Sequence, residues 1–217
     1  MTMTKEEIYS HVDHTQLKAY ATWEDIVKLC DEAVKYKTAS VCVPPCYIKR
    51  IKDKYGDGVN ICTVIGFPLG YSVTAAKVAE AKEAIYDGAS EIDTVINISD
   101  AKNGDFDRIL EELKILRQVV GDKILKVIIE TCYLTEEEKV KLCDIVTLSG
   151  ADYIKTSTGF GTGGATFEDV KLFKENIGQD VKIKAAGGIR TKEDCERFLE
   201  LGADRLGTSS AISILEK

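Results

Sequence analysis

Short apolar runs rich in Val, Ile and Cys alternate with amphipathic stretches along the whole chain. The runs predict strands at 11–15, 38–43, 60–66, 91–97, 124–130, 152–157, 181–186 and 204–208. The stretches between them predict helices at 22–36, 45–55, 72–88, 106–120, 135–149, 167–177 and 191–201, with a short one from 209. Thr22 with Asp25, Thr135 with Glu138, Thr166 with Asp169 and Thr191 with Asp194 have the spacing of a capping box at four helix starts. Gly88, Gly150 and Gly202 each follow a predicted helix and precede Ala and a strand, the place of a C-terminal cap. Runs such as Lys-Val-Ile-Ile-Glu at 126–130 lack the two-residue alternation of a half-exposed strand. That indicates a parallel sheet covered on both faces. Eight strand–helix units fit an α/β chain folded as one (β/α)8 TIM barrel, with 1–217 as a single catalytic domain. The alternative is an open doubly wound sheet with fewer strands. No Pro/Ser-rich linker divides the chain.

Composition narrows the classes of function. With 44% hydrophobic and 30% charged residues in 217, the chain reads as a soluble globular protein able to bury a sizeable core. A net charge of −7 argues against nucleic acid or an anionic membrane as the partner, although a small anionic substrate needs only a locally positive site. The seven cysteines are odd in number, scattered and free of Cys-x-x-Cys. They read as buried thiols in a reducing compartment. No signal peptide and no membrane-length apolar run is expected, which points to the cytoplasm.

Two lysines carry the chemistry. Lys155 and Lys184 stand inside apolar strands, where an unpaired ammonium is costly. Like charge and burial both lower an amine's pKa, so the pair is expected to yield a neutral amine for attack on a carbonyl. The alternative is that each lysine pairs with an inward acid such as Asp93, and Glu91 shares the strand parity of Asp93. In a barrel the active site lies at the C-terminal strand ends. Those ends gather Asp13, His14, Thr15, Cys42, Asp93, Glu130, Thr131, Lys155 and Lys184. Gly187-Gly188-Ile-Arg190 and Gly207-Thr-Ser209-Ser210 follow the seventh and eighth strands, where barrels hold phosphate on backbone N–H groups. Gly159 to Gly164 formally satisfies Gly-x-Gly-x-x-Gly, but the helix opens after the glycines, so a substrate loop is expected and not a dinucleotide site. Two histidines, His11 and His14, lack a third ligand, and no metal is expected.

These segments together resemble the class I 2-deoxyribose-5-phosphate aldolase family. The resemblance runs through Asp-His-Thr-x-Leu-Lys at 13–18, Val-Cys-Val-x-Pro near 41–45 and Val-Ile-Gly-Phe-Pro-Leu-Gly at 64–70. It continues in Glu-Ile-Asp-x-Val-Ile-Asn at 91–97 and Lys-Val-Ile-Ile-Glu-Thr at 126–131. It ends in Gly-Ala-Asp-Tyr-Ile-Lys-Thr-Ser-Thr-Gly-Phe at 150–160, Lys-Ala-Ala-Gly-Gly-Ile-Arg at 184–190 and Gly-Thr-Ser-Ser at 207–210. It implies a barrel that reversibly cleaves 2-deoxy-D-ribose 5-phosphate to acetaldehyde and D-glyceraldehyde 3-phosphate, without metal or organic cofactor.

Lys155 would be the Schiff-base lysine, Lys184 the second lysine that tunes it, and Asp93 the acid of proton transfer. Asp13, Thr15, Cys42 and Thr158 would line the substrate pocket. Gly159, Gly187, Gly188, Gly207, Ser209 and Ser210 would hold the phosphate. The resemblance also implies a homo-oligomer, dimer or tetramer. Phe160 stands where some members carry a basic residue, and the chain stops at Glu216-Lys217 without the tail that ends some relatives. Two other readings stay open: a Schiff-base aldolase for another phosphosugar, and a silent phosphosugar-binding barrel.

Overall fold

Each apolar run forms a strand, and all eight strands lie parallel. A computed structural model describes residues 3–216; Lys217, at the chain end noted above, lies outside the described residues. The strands are β1 (Val12–Thr15), β2 (Ser40–Val43), β3 (Ile61–Ile65) and β4 (Glu91–Val95). They continue as β5 (Ile124–Ile128), β6 (Tyr153–Lys155), β7 (Lys182–Ala186) and β8 (Arg205–Thr208). They close in chain order into a barrel, with β8 pairing back onto β1. Hydrogen bonding runs past some strand ends, as in Ile96 N–H to Ile128 O and Ile129 N–H to Lys155 O. The open doubly wound alternative is therefore set aside.

The helices alternate with the strands as α1 (Lys5–Ser10), α2 (Trp23–Tyr36), α3 (Ile48–Tyr55), α4 (Thr74–Tyr86) and α5 (Ile98–Asn103). They are followed by α6 (Phe106–Val120), α7 (Glu136–Ser149), α8 (Phe167–Asn176), α9 (Lys192–Glu200) and α10 (Ala211–Leu215). The capping boxes at Thr22, Thr135 and Thr191 close in both directions. At Thr166 only half forms, and the Asp169 carboxylate instead accepts from Lys139 at 2.6 Å. Sequence periodicity missed α1 and α5, each only six residues long and too short to show a helical repeat. Gly150 caps α7 in the left-handed region at φ 76°, where a Cβ would be strained. Among the described residues no helix is long and apolar enough to cross a membrane.

Apolar packing lies mainly between sheet and helices. Val41, Ile61, Ile92, Val127, Ile154, Ile183 and Leu206 from the strands share one cluster with Ile26, Ile51, Leu113, Val146, Phe173 and Phe198 from the helices. On α2 the buried positions Ile26, Leu29, Cys30 and Ala33 recur at helical spacing, which fixes the face it turns to the sheet. The barrel interior is different. Barrels usually fill it with branched apolar side chains, but here Asp13, Asp93, Lys126 and Lys184 are all fully buried in it.

One buried ion pair outside the barrel ties α4 to α6. Lys77 Nζ, fully buried, contacts Glu112 Oε1 at 2.5 Å and Val95 O at 2.8 Å. Removing one partner strands a buried charge. Glu112→Ala is expected to destabilise the fold by about 3–5 kcal/mol in urea unfolding, whereas the double change Lys77→Met with Glu112→Leu stays within ~1–2 kcal/mol of the parent. Equal losses in the two proteins would refute this account.

Candidate active site

Strand register sets the site. Lys155 on β6 lies directly beside Lys184 on β7, and Asp93 on β4 beside Lys126 on β5. Asp93 sits where the three lysines converge. Its Oδ2 accepts from Lys155 Nζ at 2.7 Å and Lys184 Nζ at 2.8 Å. Its Oδ1 accepts from Lys126 Nζ at 2.9 Å and from the Cys62 thiol at 3.1 Å. Below, Lys126 also reaches Glu91 at 2.5 Å, and Lys184 reaches Asp13 at 2.5 Å. Arg205 completes the cluster by pairing with Asp13 and, at 3.2 Å, with Glu91.

Burial and ion pairing pull these groups in opposite directions. Burial opposes ionisation of Asp93, but Lys126, Lys155 and Lys184 outweigh it and hold the carboxyl well below its ordinary value. Asp13 is likewise held low, against burial, by Lys184, Lys126 and Arg205. Burial works to discharge Lys184, yet Asp13 and Asp93 raise its pKa, and Lys126 is raised in the same way by Asp93, Cys62, Asp13 and Glu91. This corrects the sequence reading for Lys184. The carboxylates beside it dominate, and Lys184 rests as an ammonium.

Above the cluster a cavity of ≈ 340 Å³ opens between the strand ends. Lys155, only 3% exposed, is the cluster amine that lines it. Thr15, Thr158, Gly159, Gly187, Gly188, Gly207, Ser209 and Ser210 also line it, as expected. Asp13, Cys42, Asp93 and Lys184 lie buried beneath, outside its lining. Arg190 and Lys18 stand at its wall and supply positive charge; Lys18 was noticed only as part of a motif. Gly207 has a second use, because a Cβ there would meet Lys184 Cε at 3.2 Å and Ala186 Cβ at 2.9 Å.

The loop after β6 is fastened at both ends. Ala165 N–H bonds to Ala186 O and Gly187 O, and a Cβ at Gly164 would come within 2.4 Å of Gly187 O. Glu130, buried and in the left-handed region at φ 55°, accepts from Thr158 N–H at 3.1 Å and from the Thr158 hydroxyl. Phe160 is half exposed at the cavity wall and meets Phe67 edge-on at 5.4 Å. Ser157, buried and of the same strand parity as Lys155, has no hydrogen-bond partner among the described residues for its hydroxyl.

Lys126, Arg205 and Cys62 were missed by sequence reasoning. Lys126 carried the same signal as the other two, a lysine in an apolar run. The histidines are engaged apart from each other, His14 with Glu32 at 2.7 Å and His11 with Asp204 O at 2.8 Å. A larger hollow of ≈ 590 Å³ lies along α2, open and lined largely by exposed helix side chains such as Glu24, Lys28 and Lys35. It brings no buried polar group to a focus, and the smaller cavity over Lys155 is the better site.

Residues 8–212 match the model of the DeoC/LacD family of aldolases. The chain is 64% identical over 214 residues to a deoxyribose-phosphate aldolase of Clostridium botulinum (strain Alaska E43 / Type E3), covering 99% of this chain and 97% of that one. In three dimensions it resembles a putative deoxyribose-phosphate aldolase of Coccidioides immitis, with TM-score 0.95, 40% identity and coverage of 100% and 87%. It also resembles a deoxyribose phosphate aldolase of Aeropyrum pernix described as a unique tetramer, with TM-score 0.90, 32% identity and coverage of 98% and 91%.

The charge cluster has a signature in stability. Lys184, raised in the folded state, contributes stability that is complete below its unfolded value of about 10.4 and lost as pH rises through the folded one. Asp93, held low, contributes stability that is complete above about pH 3.9 and lost as pH falls through its folded value. Urea midpoints are therefore expected to decline above about pH 10.4, and Lys184→Met to lessen that decline. An alkaline limb unchanged in Lys184→Met would contradict the assignment.

Proposed function

The chain belongs to the DeoC/LacD aldolase family, and from that membership we propose that Lys155 performs its aldol chemistry as the Schiff-base nucleophile. The reaction is that of a deoxyribose-phosphate aldolase, a lyase: 2-deoxy-D-ribose 5-phosphate is reversibly cleaved to acetaldehyde and D-glyceraldehyde 3-phosphate. The observation that carries the assignment is positional. Lys155 is the amine of the cluster that reaches both Asp93 and the cavity.

In this scheme the neutral amine of Lys155 adds to the C1 aldehyde of the open-chain sugar. Loss of water from the carbinolamine gives a protonated imine, which withdraws electrons from the bond between C2 and C3. That bond breaks as the C3 hydroxyl loses its proton, releasing D-glyceraldehyde 3-phosphate and leaving an enamine on Lys155. Protonation at C2 and hydrolysis then release acetaldehyde and free the amine. Asp93, with Lys184 and a water, moves the protons of carbinolamine collapse and enamine protonation; both side chains meet Lys155 or its carboxylate partner.

Thr15, Thr158, Asp13 and Cys42 shape the aldehyde end, the latter two from beneath. Gly159, Gly187, Gly188, Gly207, Ser209 and Ser210 hold the phosphate, with Lys18 and Arg190 adding charge. The whole of 1–217 works as one catalytic domain. A cytoplasmic, reducing setting agrees with free cysteines at Cys30, Cys42, Cys62, Cys143 and Cys195, all buried. A homo-oligomer is supported by the tetrameric description of the Aeropyrum pernix relative, and light scattering of the purified protein tests it.

Borohydride reduction in the presence of acetaldehyde tests the nucleophile. An ethyl group on Lys155 in mapped peptides is expected. Folded protein with Lys155 unmodified would leave a phosphosugar-binding barrel as the better reading, and cleavage of a different phosphosugar in product analysis would reassign the substrate. Lys184 supplies the second ammonium on Asp93 Oδ2. Lys184→Leu leaves that oxygen to Lys155 alone and is expected to move the pH–rate profile toward alkaline pH, with rate partly recovered there. A profile that only drops in height would refute this role.

A further inference from the structure

Two buried thiols lie beside the catalytic carboxylate, and one of them has no part in the chemistry above. Cys42 on β2 and Cys62 on β3 are direct partners in the parallel register, fully buried and free. With Val64 they form a small cluster inside the barrel, under Leu17 and Phe67. Neighbouring strands run about 4.8 Å apart, within the ~4.4–6.8 Å between Cα atoms that a disulfide spans. The two Sγ atoms and a carboxylate oxygen of Asp93 lie within 4.8 Å of one another. The Cys62 thiol donates to Asp93 Oδ1 at 3.1 Å, and Lys126 Nζ is 3.3 Å from the same sulfur.

The surroundings decide what such a pair can do. A metal cation on these three donors would have to displace the ammonium groups of Lys126, Lys155 and Lys184 from Asp93, which disfavours it. The same positive charge favours a thiolate. The neighbouring Cys62 thiol chiefly holds the Cys42 thiol below its ordinary value, against burial, with help from Lys184. Burial, then Cys42 and Asp93, push the Cys62 thiol up. One sulfur is thus suited to attack and its neighbour to resolve.

We propose that Cys42 and Cys62 form a redox pair that closes to a disulfide under a peroxide oxidant and thereby switches off the adjacent aldolase site. The Cys42 thiolate attacks a peroxide oxygen; an S–O bond forms, the O–O bond breaks, and hydroxide leaves to become water. The Cys62 sulfur, losing its proton, then attacks the sulfenic sulfur; the S–S bond forms, the S–O bond breaks, and a second water leaves. Two thiols are oxidised and one hydrogen peroxide is reduced to two waters. In the disulfide Cys62 has no proton to give Asp93 Oδ1. The effect on rate rests on the proton-transfer role of Asp93 given above, whereas formation of the bond does not.

The test treats the protein with hydrogen peroxide, alkylates remaining thiols, maps the peptides, and assays aldolase activity before and after dithiothreitol. Expected are a peptide pair linked through Cys42 and Cys62 and a fall in rate of about tenfold, the scale of a lost hydrogen bond to a charged acceptor, reversed by dithiothreitol. In Cys62→Ser, measured against its own untreated rate, the linked pair is absent and dithiothreitol restores nothing. Inactivation without the linked pair overturns the proposal, as does reversible inactivation that persists in Cys62→Ser. A linked pair with full activity overturns the switch. Acetaldehyde trapping on the reduced protein is run alongside, so that a failure of the Lys155 assignment shows separately.

Discussion

One carboxylate organises the barrel. Asp93 accepts from three ammonium groups and a thiol, and every one of those donors is buried around it. A buried cluster of this kind persists only if its members are mutually paired, because desolvation penalises each ion separately. The pairing extends through Asp13, Glu91 and Arg205, so the strands are joined across the interior by charge as well as by the backbone ladder. Four cationic side chains face three carboxylates in this cluster, which leaves one positive charge in excess. The three lysines are not equivalent in that set. Lys126 contacts three carboxylates and Lys184 two, while Lys155 contacts only Asp93 and faces the cavity.

The two ends of the barrel therefore do different work with the same residue types. Toward the N-terminal ends of the strands, Arg205, Glu91 and Lys126 neutralise one another and fill space that other barrels give to aliphatic side chains. Toward the C-terminal ends, the loops replace carboxylates with glycine backbone and hydroxyl groups. Glu130 is a buried acid at the rim whose carboxylate accepts from the Thr158 N–H and hydroxyl and so shapes the loop after β6. Its left-handed backbone is strained for a non-glycine residue, and the hydrogen bonds to Thr158 give the fold a reason to keep it.

Much of this was legible in the sequence, and the misses share a physical cause. Apolar periodicity, threonine caps and joint glycines are local signals, and they marked each strand and the longer helices within a few residues. Lys155 and Lys184 stood out because charge inside an apolar run is unusual. Lys126 offered the same contrast, but its partners are distant in sequence. The ionic state of Lys184 could not be read locally either, since Asp13 and Asp93 reach it from 171 and 91 residues away. Cys62 looked like packing because a buried thiol in a strand usually is, and only register shows the carboxylate beside it.

The remaining question for such a site is how a protein with net charge −7 admits an anionic sugar phosphate. Charges far from the mouth are weakened by solvent ions over about 10 Å, so the local set decides the matter. Beneath the cavity Asp93 and Asp13 are already paired with the lysines and Arg205. Among the described residues Lys18 and Arg190 form no ion pair, and they share the cavity wall with Gly159, Gly187, Gly188 and Gly207. Phe160 then costs the site less than its loss of a cation suggests. Its ring packs edge-on against Phe67 at the rim and adds no negative charge there.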